Sequence, residues 1–223
     1  MSQIKVVTNI LQTNDEITAQ NKKMLDKEGI YVVNLMSSPG SGKTSLLEKI
    51  IGKLKDEIKI AVIEGDIYTT KDAERIEAQG IPVVQINTGG ACHLDGEMIK
   101  NALNSLNLEK TDLLVIENVG NLVCPAEFEI GEDIKISVLS TTEGNDKPLK
   151  YPLMFEKSGA VILNKIDLID FTNFNKEEFY IDIKALNANA KTFETSCTKD
   201  QGIDEICLWL KNKVVEKRKN KHI

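Results

Sequence analysis

Along the chain, short apolar runs alternate with segments whose apolar residues recur every three or four positions. The runs predict strands over 32–36, 60–64, 83–86, 113–117, 134–139, 160–163 and 192–195. The wider spacing predicts helices over 45–54, 71–78, 96–106, 152–157, 176–186 and 203–218, the first with Leu46, Leu47, Ile50, Ile51 and Leu54 on one face. Another helical pattern, Val6, Val7, Ile10, Leu11, Ile17, Met24 and Leu25, precedes the first core strand and is ended by Gly29. Such alternation implies an α/β fold, with a mostly parallel central sheet flanked by helices and ligands at the carboxyl ends of the strands. Residues 1–29 are expected to form a helical appendage and residues 30–223 the main domain.

Between the first strand and its helix lies Ser37-Ser38-Pro39-Gly40-Ser41-Gly42-Lys43-Thr44-Ser45, which reads as a phosphate-binding loop. Consecutive backbone N–H groups in such a loop point at phosphate oxygens, and the following helix adds partial positive charge from its dipole. Lys43 is expected to reach the β- and γ-phosphates and Thr44 to ligate Mg²⁺, with residues 38–45 lining the nucleotide. The first glycine of the usual pattern is replaced by Ser37.

Composition narrows the partners. The 223 residues are 41% hydrophobic, enough for one sizeable domain, and the net charge of −6 argues against a nucleic-acid partner. The basic stretch 211–222 closes the last helix and reads as a solvated helix end complementing the dipole. Neither a membrane-length apolar run nor a signal core is visible, so a cytoplasmic protein is expected. Cys92, Cys124, Cys197 and Cys207 are few and widely spaced, which favours free thiols or metal ligands over disulfides.

Asn164-Lys165-Ile166-Asp167 follows a buried run where a nucleotide base belongs, and it selects guanine. A carboxylate at Asp167 can accept from guanine's ring N–H and exocyclic amine, a pairing adenine cannot reproduce. Lys165 is read as lying along the base and Asn164 as bracing the neighbouring loops. Glu194-Thr195-Ser196-Cys197-Thr198-Lys199 resembles the Ser-Ala-Lys loop of GTPases, placing Ser196 and Cys197 beside the base.

Glu117-Asn118-Val119-Gly120 resembles the Asp-x-x-Gly motif that senses the γ-phosphate, with glutamate as the acid. Asp66, closing Glu64-Gly65-Asp66, is read as an outer Mg²⁺ ligand or a water-orienting group, so Lys43, Asp66 and Glu117 form the expected catalytic set. Asp72 joins Thr44, Asp66 and Glu117 as an oxygen donor for Mg²⁺; with Arg75 it makes either a nucleotide-responsive segment or a plain exposed i, i+3 ion pair. No glutamine follows Gly120, and Asn121 stands there instead, so intrinsic hydrolysis of GTP to GDP is expected to be slow.

Thr88-Gly89-Gly90-Ala91-Cys92-His93 presents a thiol beside an imidazole, donors that suit Zn²⁺ or Ni²⁺, and Cys124 follows the γ-phosphate motif by four residues. A Cys-His dipeptide alone reads more readily as a buried thiol beside a hydrogen-bonded histidine. Three donors also leave a four-coordinate ion incomplete, a gap that two copies meeting across a two-fold axis can fill.

Taken together, these segments, with Asn121-Leu122-Val123-Cys124-Pro125 completing the fourth, resemble the HypB family of nickel-incorporation GTPases in NiFe-hydrogenase maturation, over residues from about 30 to 215. The resemblance implies a P-loop NTPase with a SIMIBI-type G domain, working as a GTP-regulated nickel metallochaperone. It further implies a homodimer formed with nucleotide, Ni²⁺ or Zn²⁺ held by Cys92, His93 and Cys124, and as partners a HypA-like nickel chaperone and the hydrogenase large subunit. Residues 1–29 contain neither cysteine nor histidine, so the extra N-terminal metal devices of some members are not expected. Two other readings stand beside it: a urease-accessory GTPase of the UreG type, whose usual Cys-Pro-His order differs from Cys92-His93, and a nucleotide-gated scaffold whose thiols never meet metal.

Overall fold

The computed structural model describes residues 10–220, with side chains from residue 13 onward. Val6, Val7 and His222 lie outside the described residues, as do the side chains of Ile10 and Leu11. Seven strands form one sheet: β1 (Tyr31–Ser37), β2 (Ile60–Asp66), β3 (Val83–Asn87), β4 (Leu113–Glu117), β5 (Ile134–Ser140), β6 (Ala160–Asn164) and β7 (Lys191–Glu194). Their order is β3-β2-β4-β1-β5-β6-β7 and every pairing is parallel. β1 and β4 are buried on both faces, which is why they read as continuous apolar runs. Because the connections leave β1 and β4 toward opposite edges of the sheet, a crevice opens beyond the carboxyl ends of these neighbouring strands, at the phosphate loop.

Helices α2 (Lys43–Leu54) and α9 (Ile203–Asn220) cover one face, where Leu46, Leu47, Ile50 and Ile51 meet Ile206, Leu210 and Val214. On the other face α1 (Ile10–Glu28) and α4 (Gly96–Leu103) close a second apolar cluster with Leu25, Leu94, Ile99 and Leu103. A third cluster lies beyond β5, under α7 (Pro152–Lys157) and α8 (Lys176–Leu186), with Phe155 and Phe179 at its centre. The remaining helices α3 (Lys71–Glu77), α5 (Cys124–Glu127) and α6 (Lys147–Lys150) are short. The last two, of four residues each, left no periodic signature in the sequence.

Three buried polar side chains fasten α1 to the loop before β5 and to the start of α4. Asn14 and Thr18 donate to the Glu129 carbonyl at 2.8 and 2.9 Å, and Asn21 donates to the Gly96 carbonyl at 2.8 Å.

The basic end of α9 is exposed at Arg218 and Lys219, as its composition suggested, but Lys217 departs from that reading. Lys217 is 16% exposed and pairs with Asp133 at 2.6 Å and with Asp26, while Arg218 pairs with Asp112. Lys22 reaches the same Asp133 oxygen at 2.5 Å, so two lysines and two aspartates clamp α1, α9 and the residue just before β5 together. Burial alone would raise the Asp26 carboxyl, but the ammonium groups of Lys217 and Lys22 outweigh it and hold it below its ordinary range. Lys217→Met is expected to lower stability by about 1–2 kcal/mol, between an exposed pair and a buried one. Urea unfolding at neutral pH checks this, and an unchanged midpoint would refute it.

Candidate functional site

The crevice at the carboxyl ends of β1, β2 and β4 holds a cavity of about 510 Å³ lined by residues 39–45, Glu64, Gly65, Asp66, Asp72, Arg75, residues 117–120 and Lys165. The phosphate loop enters α2 through Gly42 in the left-handed region (φ 98°). Lys43 is buried, donating to Ser37 Oγ at 3.0 Å, and Thr44 Oγ1 donates to Glu117 Oε1 at 2.8 Å. Ser38 Oγ bonds the Glu143 carboxylate, while Ser45 Oγ accepts from Arg75 at 3.0 Å. Ser41 Oγ is buried without a hydrogen-bond partner among the described residues.

Sequence reading passed over Glu64. It lies in register with Glu117 across β2 and β4, and both carboxyls are buried. Oε2 of each meets no N–H or hydroxyl donor among the described residues, so in the cavity wall, apart from the Thr44 bond to Glu117, the two carboxyls have only each other to bond. Burial first, and the neighbouring Glu117 second, push the Glu64 carboxyl up to about 11. Glu117 is also raised by burial, against the pull of Lys43 and Thr44. The pair therefore shares a proton carried by Glu64. A hard divalent cation fits this oxygen set, since it would replace the proton and satisfy both carboxyls.

The shared proton has a pH signature. Below the ordinary carboxyl value of 4.5, folded and unfolded chains both hold the proton. Above it the unfolded chain ionises while folded Glu64 stays neutral, so its contribution to stability falls as pH rises toward about 11. Glu64→Gln keeps a neutral donor facing Glu117. Nucleotide-free Glu64→Gln protein is expected to be more stable than the parent at pH 8 by on the order of 2 kcal/mol, with the gain shrinking toward pH 5. Thermal melts at the two pH values measure it; equal melting temperatures at pH 8 would contradict the shared proton.

The other acids differ. Burial opposes ionisation of Asp66, but the backbone N–H groups of Thr69 and Tyr68 prevail and hold its carboxyl below the usual range. Asp72 pairs with Arg75 at 2.9 Å, and Arg75 also grips Glu48 at 2.6 Å, so α3 is tied to α2 at the cavity wall.

On the opposite side of the loop, Asn164 donates to the Ser41 carbonyl at 2.9 Å and accepts from Thr195 at 3.0 Å and Cys197 at 3.7 Å. Lys165, left-handed at φ 58°, donates to the Gly40 carbonyl at 2.7 Å. Asp167 is half-buried at the start of the 3-10 turn Ile166–Phe171, and buried Ser196 pairs its backbone with Gln201. Neither they nor Cys197 belong to the cavity lining among the described residues, so the lining joins the phosphate and carboxylate residues but not these three.

A second group stands apart from the cavity. Cys92, His93 and Cys124 place their donor atoms within 4.8 Å of one another, with the two sulfurs at 2.8 Å. The cysteines are free and all three residues are half-buried. The His93 ring stacks on Phe128 at 3.9 Å between centroids, and burial lowers its pKa, which keeps a neutral nitrogen lone pair available. The hydrogen bond with Cys92 leads burial in raising the Cys124 thiol, so this pair too holds a proton that a metal would displace. Asn121 orients the turn, accepting from the Val123 and Cys124 amides at 2.7 and 3.3 Å. Two sulfurs and one imidazole suit a borderline-soft ion and leave a fourth position open.

A family description, CobW/HypB/UreG nucleotide-binding domain, matches residues 31–194. The hydrogenase maturation factor HypB of Escherichia coli (strain K12) is 45% identical over 207 residues, 93% of this chain and 71% of that protein. The chain belongs to the HypB family. A crystal structure of HypB from Helicobacter pylori in complex with nickel matches at a TM-score of 0.88 and 42% identity, covering 92% of this chain and 97% of that one. The signal recognition particle receptor FtsY from Elizabethkingia anophelis, at 15% identity, 92% of this chain, 76% of its own and a TM-score of 0.56, shares the fold alone. Within this HypB-type domain Cys124 follows β4, one of the strands whose ends build the nucleotide crevice, while Cys92 and His93 follow the edge strand β3 beside β2. No described helix is long and apolar enough to cross a membrane.

Proposed function

We propose that this protein is a GTP-hydrolysing nickel chaperone of hydrogenase maturation, in which nucleotide state governs metal binding and dimerisation. The observation that carries the reading is the convergence of Cys92, His93 and Cys124, with Cys124 seven residues beyond the buried Glu117 that bonds Thr44. Kinship with a family that includes a nickel-bound structure supports it.

In this reading the phosphates lie on the backbone of residues 38–45, with Lys43 neutralising the β- and γ-oxygens. Thr44, Glu117, Asp66 and Asp72 hold Mg²⁺, which supplies charge neutralisation at the phosphates. Asp167 reads guanine, Lys165 lies along the base, and Ser196 and Cys197 border it. With Lys43, Asp66 and Glu117 as its catalytic set and Asn121 where a water-orienting glutamine would stand, the protein turns over slowly. The switch segments after Asp66 and Glu117 move Cys92 and His93 relative to Cys124, so that Ni²⁺, with Zn²⁺ as a competitor, is held or released. A second copy completes the coordination. Delivery runs in the cytoplasm through a HypA-like chaperone to the hydrogenase large subunit, with residues 30–223 as the GTPase domain and the residues before 30 as its N-terminal extension.

Steady-state phosphate release with Mg²⁺ tests the enzymatic half. Turnover of GTP is expected to lie well below the enzyme median of about 10 s⁻¹, with little release from ATP. Equal rates on both nucleotides, or fast basal turnover, would count against this proposal.

A further inference from the structure

A seam of buried polar side chains runs through the sheet between two apolar clusters. Asn34, in the middle of β1, is fully buried, and its register partners are Ile116 on β4 and Lys135 on β5. Its neighbours on that face, Val32 and Met36, belong to separate clusters, so an apolar residue would fit position 34 as well. Replacing buried polar networks by apolar side chains is often neutral or stabilising, so this one is not explained by stability.

Its bonds lead to both halves of the thiol and imidazole group. Asn118, the residue after Glu117 and 1% exposed, accepts from the Leu94 amide at 3.1 Å and the Val119 amide at 3.0 Å. It donates to Asn34 Oδ1 at 3.2 Å. Asn34 in turn donates to Glu132 Oε1 at 3.1 Å, and Glu132 Oε2 accepts from the Ile130 amide at 2.8 Å. Lys135 stands 3.6 Å from Glu132 and donates to the carbonyls of Ala126 at 3.2 Å and Phe128 at 3.1 Å. One end thus grips the residue after His93. The other grips the segment just beyond Cys124, including Phe128, on which the His93 ring stacks.

The cavity touches the same seam. Leu94 packs so closely on Gly65 that a Cβ there would lie 2.8 Å from Leu94 Cδ1, and Gly65 sits between Glu64 and Asp66 in the cavity wall. Leu94 is therefore held by its amide on Asn118 and by its side chain on Gly65, two positions that flank the nucleotide carboxylates.

We propose that Asn34, Asn118, Glu132 and Lys135 are positioning residues that set the separation of Cys92 and His93 from Cys124 according to the state of the nucleotide pocket, an inference that rests on the coupling read above. Displacement of the β2 and β4 ends when the pocket fills moves Leu94 through Gly65 and Asn118, while Lys135 keeps the Cys124 segment fixed to β5. The separation of the donors then follows the nucleotide.

The test uses the full chain with GDP and with a nonhydrolysable GTP analogue. Three readouts are taken in each state: Ni²⁺ affinity, alkylation rates of Cys92 and Cys124 without metal, and hydrogen exchange at the Leu94 amide. In the parent the two states are expected to differ in Ni²⁺ affinity by roughly 5- to 150-fold, and in alkylation and Leu94 exchange as well. Asn118→Ala removes the grip on Leu94, and Lys135→Met frees the Ala126 and Phe128 carbonyls. Lys135→Met, which lies outside the cavity lining, is expected to retain nucleotide affinity, and in both variants, compared at saturating nucleotide, the affinity ratio is expected to collapse toward one. A variant that keeps both the parental ratio and the parental alkylation pattern overturns the relay while leaving nickel coupling intact. A parent with no difference in Ni²⁺ affinity refutes the coupling itself, and the relay with it. Equal Leu94 exchange in the parent's two states overturns the relay even if both variants fail to fold.

Discussion

Gly42→Ala is expected to lower guanine-nucleotide affinity by on the order of a hundredfold while the sheet remains folded. Gly42 sits at φ 98°, a conformation that L side chains rarely adopt, and a Cβ there would lie 2.5 Å from Asn164 Nδ2. The clash cannot be relieved locally, because that Nδ2 already donates to the Ser41 carbonyl and the same amide's oxygen accepts from Thr195 and Cys197. Moving Asn164 would detach the phosphate loop from the loops on the base side. Keeping it would push α2 and Lys43 away from the phosphates. Titration with a fluorescent GDP analogue, with circular dichroism as the control for folding, measures the loss; parental affinity would show that the loop does not form the phosphate cradle.

Cys124→Ala and Cys92→Ala are each expected to weaken Ni²⁺ binding by a hundredfold or more, beyond the roughly 10- to 100-fold typical of losing a residue that only supports a ligand. Either change removes one of two sulfurs that lie 2.8 Å apart and leaves two donors, too few to exclude water from the ion. Nucleotide affinity is expected to hold, because neither sulfur lines the cavity among the described residues. Metal content of the tag-free protein and competition with a chromogenic chelator provide the measurement. Full nickel retention in both variants would leave these thiols with a structural role and favour a nucleotide-gated scaffold.

Much of the fold is legible because its central strands are buried on both faces. Every strand lies within two residues of its apolar run, and the alternation of strands and helices is enough to anticipate a parallel sheet. Helix α2 starts at Lys43, earlier than its apolar face, because the left-handed Gly42 leads straight into the first turn. Local motifs likewise name residues 38–45, Glu117, Asn164 and the Cys92-His93 dipeptide.

What the sequence hides is register. Glu64 and Glu117 are 53 positions apart and meet only because β2 and β4 pair at that level. Asn34 and Lys135 read as polar interruptions of apolar runs, and only the β1 and β5 pairing makes them neighbours. The clamp of Lys22, Lys217, Asp26 and Asp133 is invisible for the same reason, since the composition of α9 shows its basic residues but not the acids opposite them. Buried polar contacts of this kind follow from the fold, whereas apolar periodicity precedes it.

The central claim, that nucleotide state sets metal affinity, meets its most direct test in the Ni²⁺ dissociation constant of the parent protein, with oligomeric state measured in parallel. GDP and a nonhydrolysable GTP analogue are expected to give different constants and a different proportion of dimer. By linkage, Ni²⁺ must then change the preference for the two nucleotides by the same factor. Identical dissociation constants with an unchanged oligomeric state would contradict the claim.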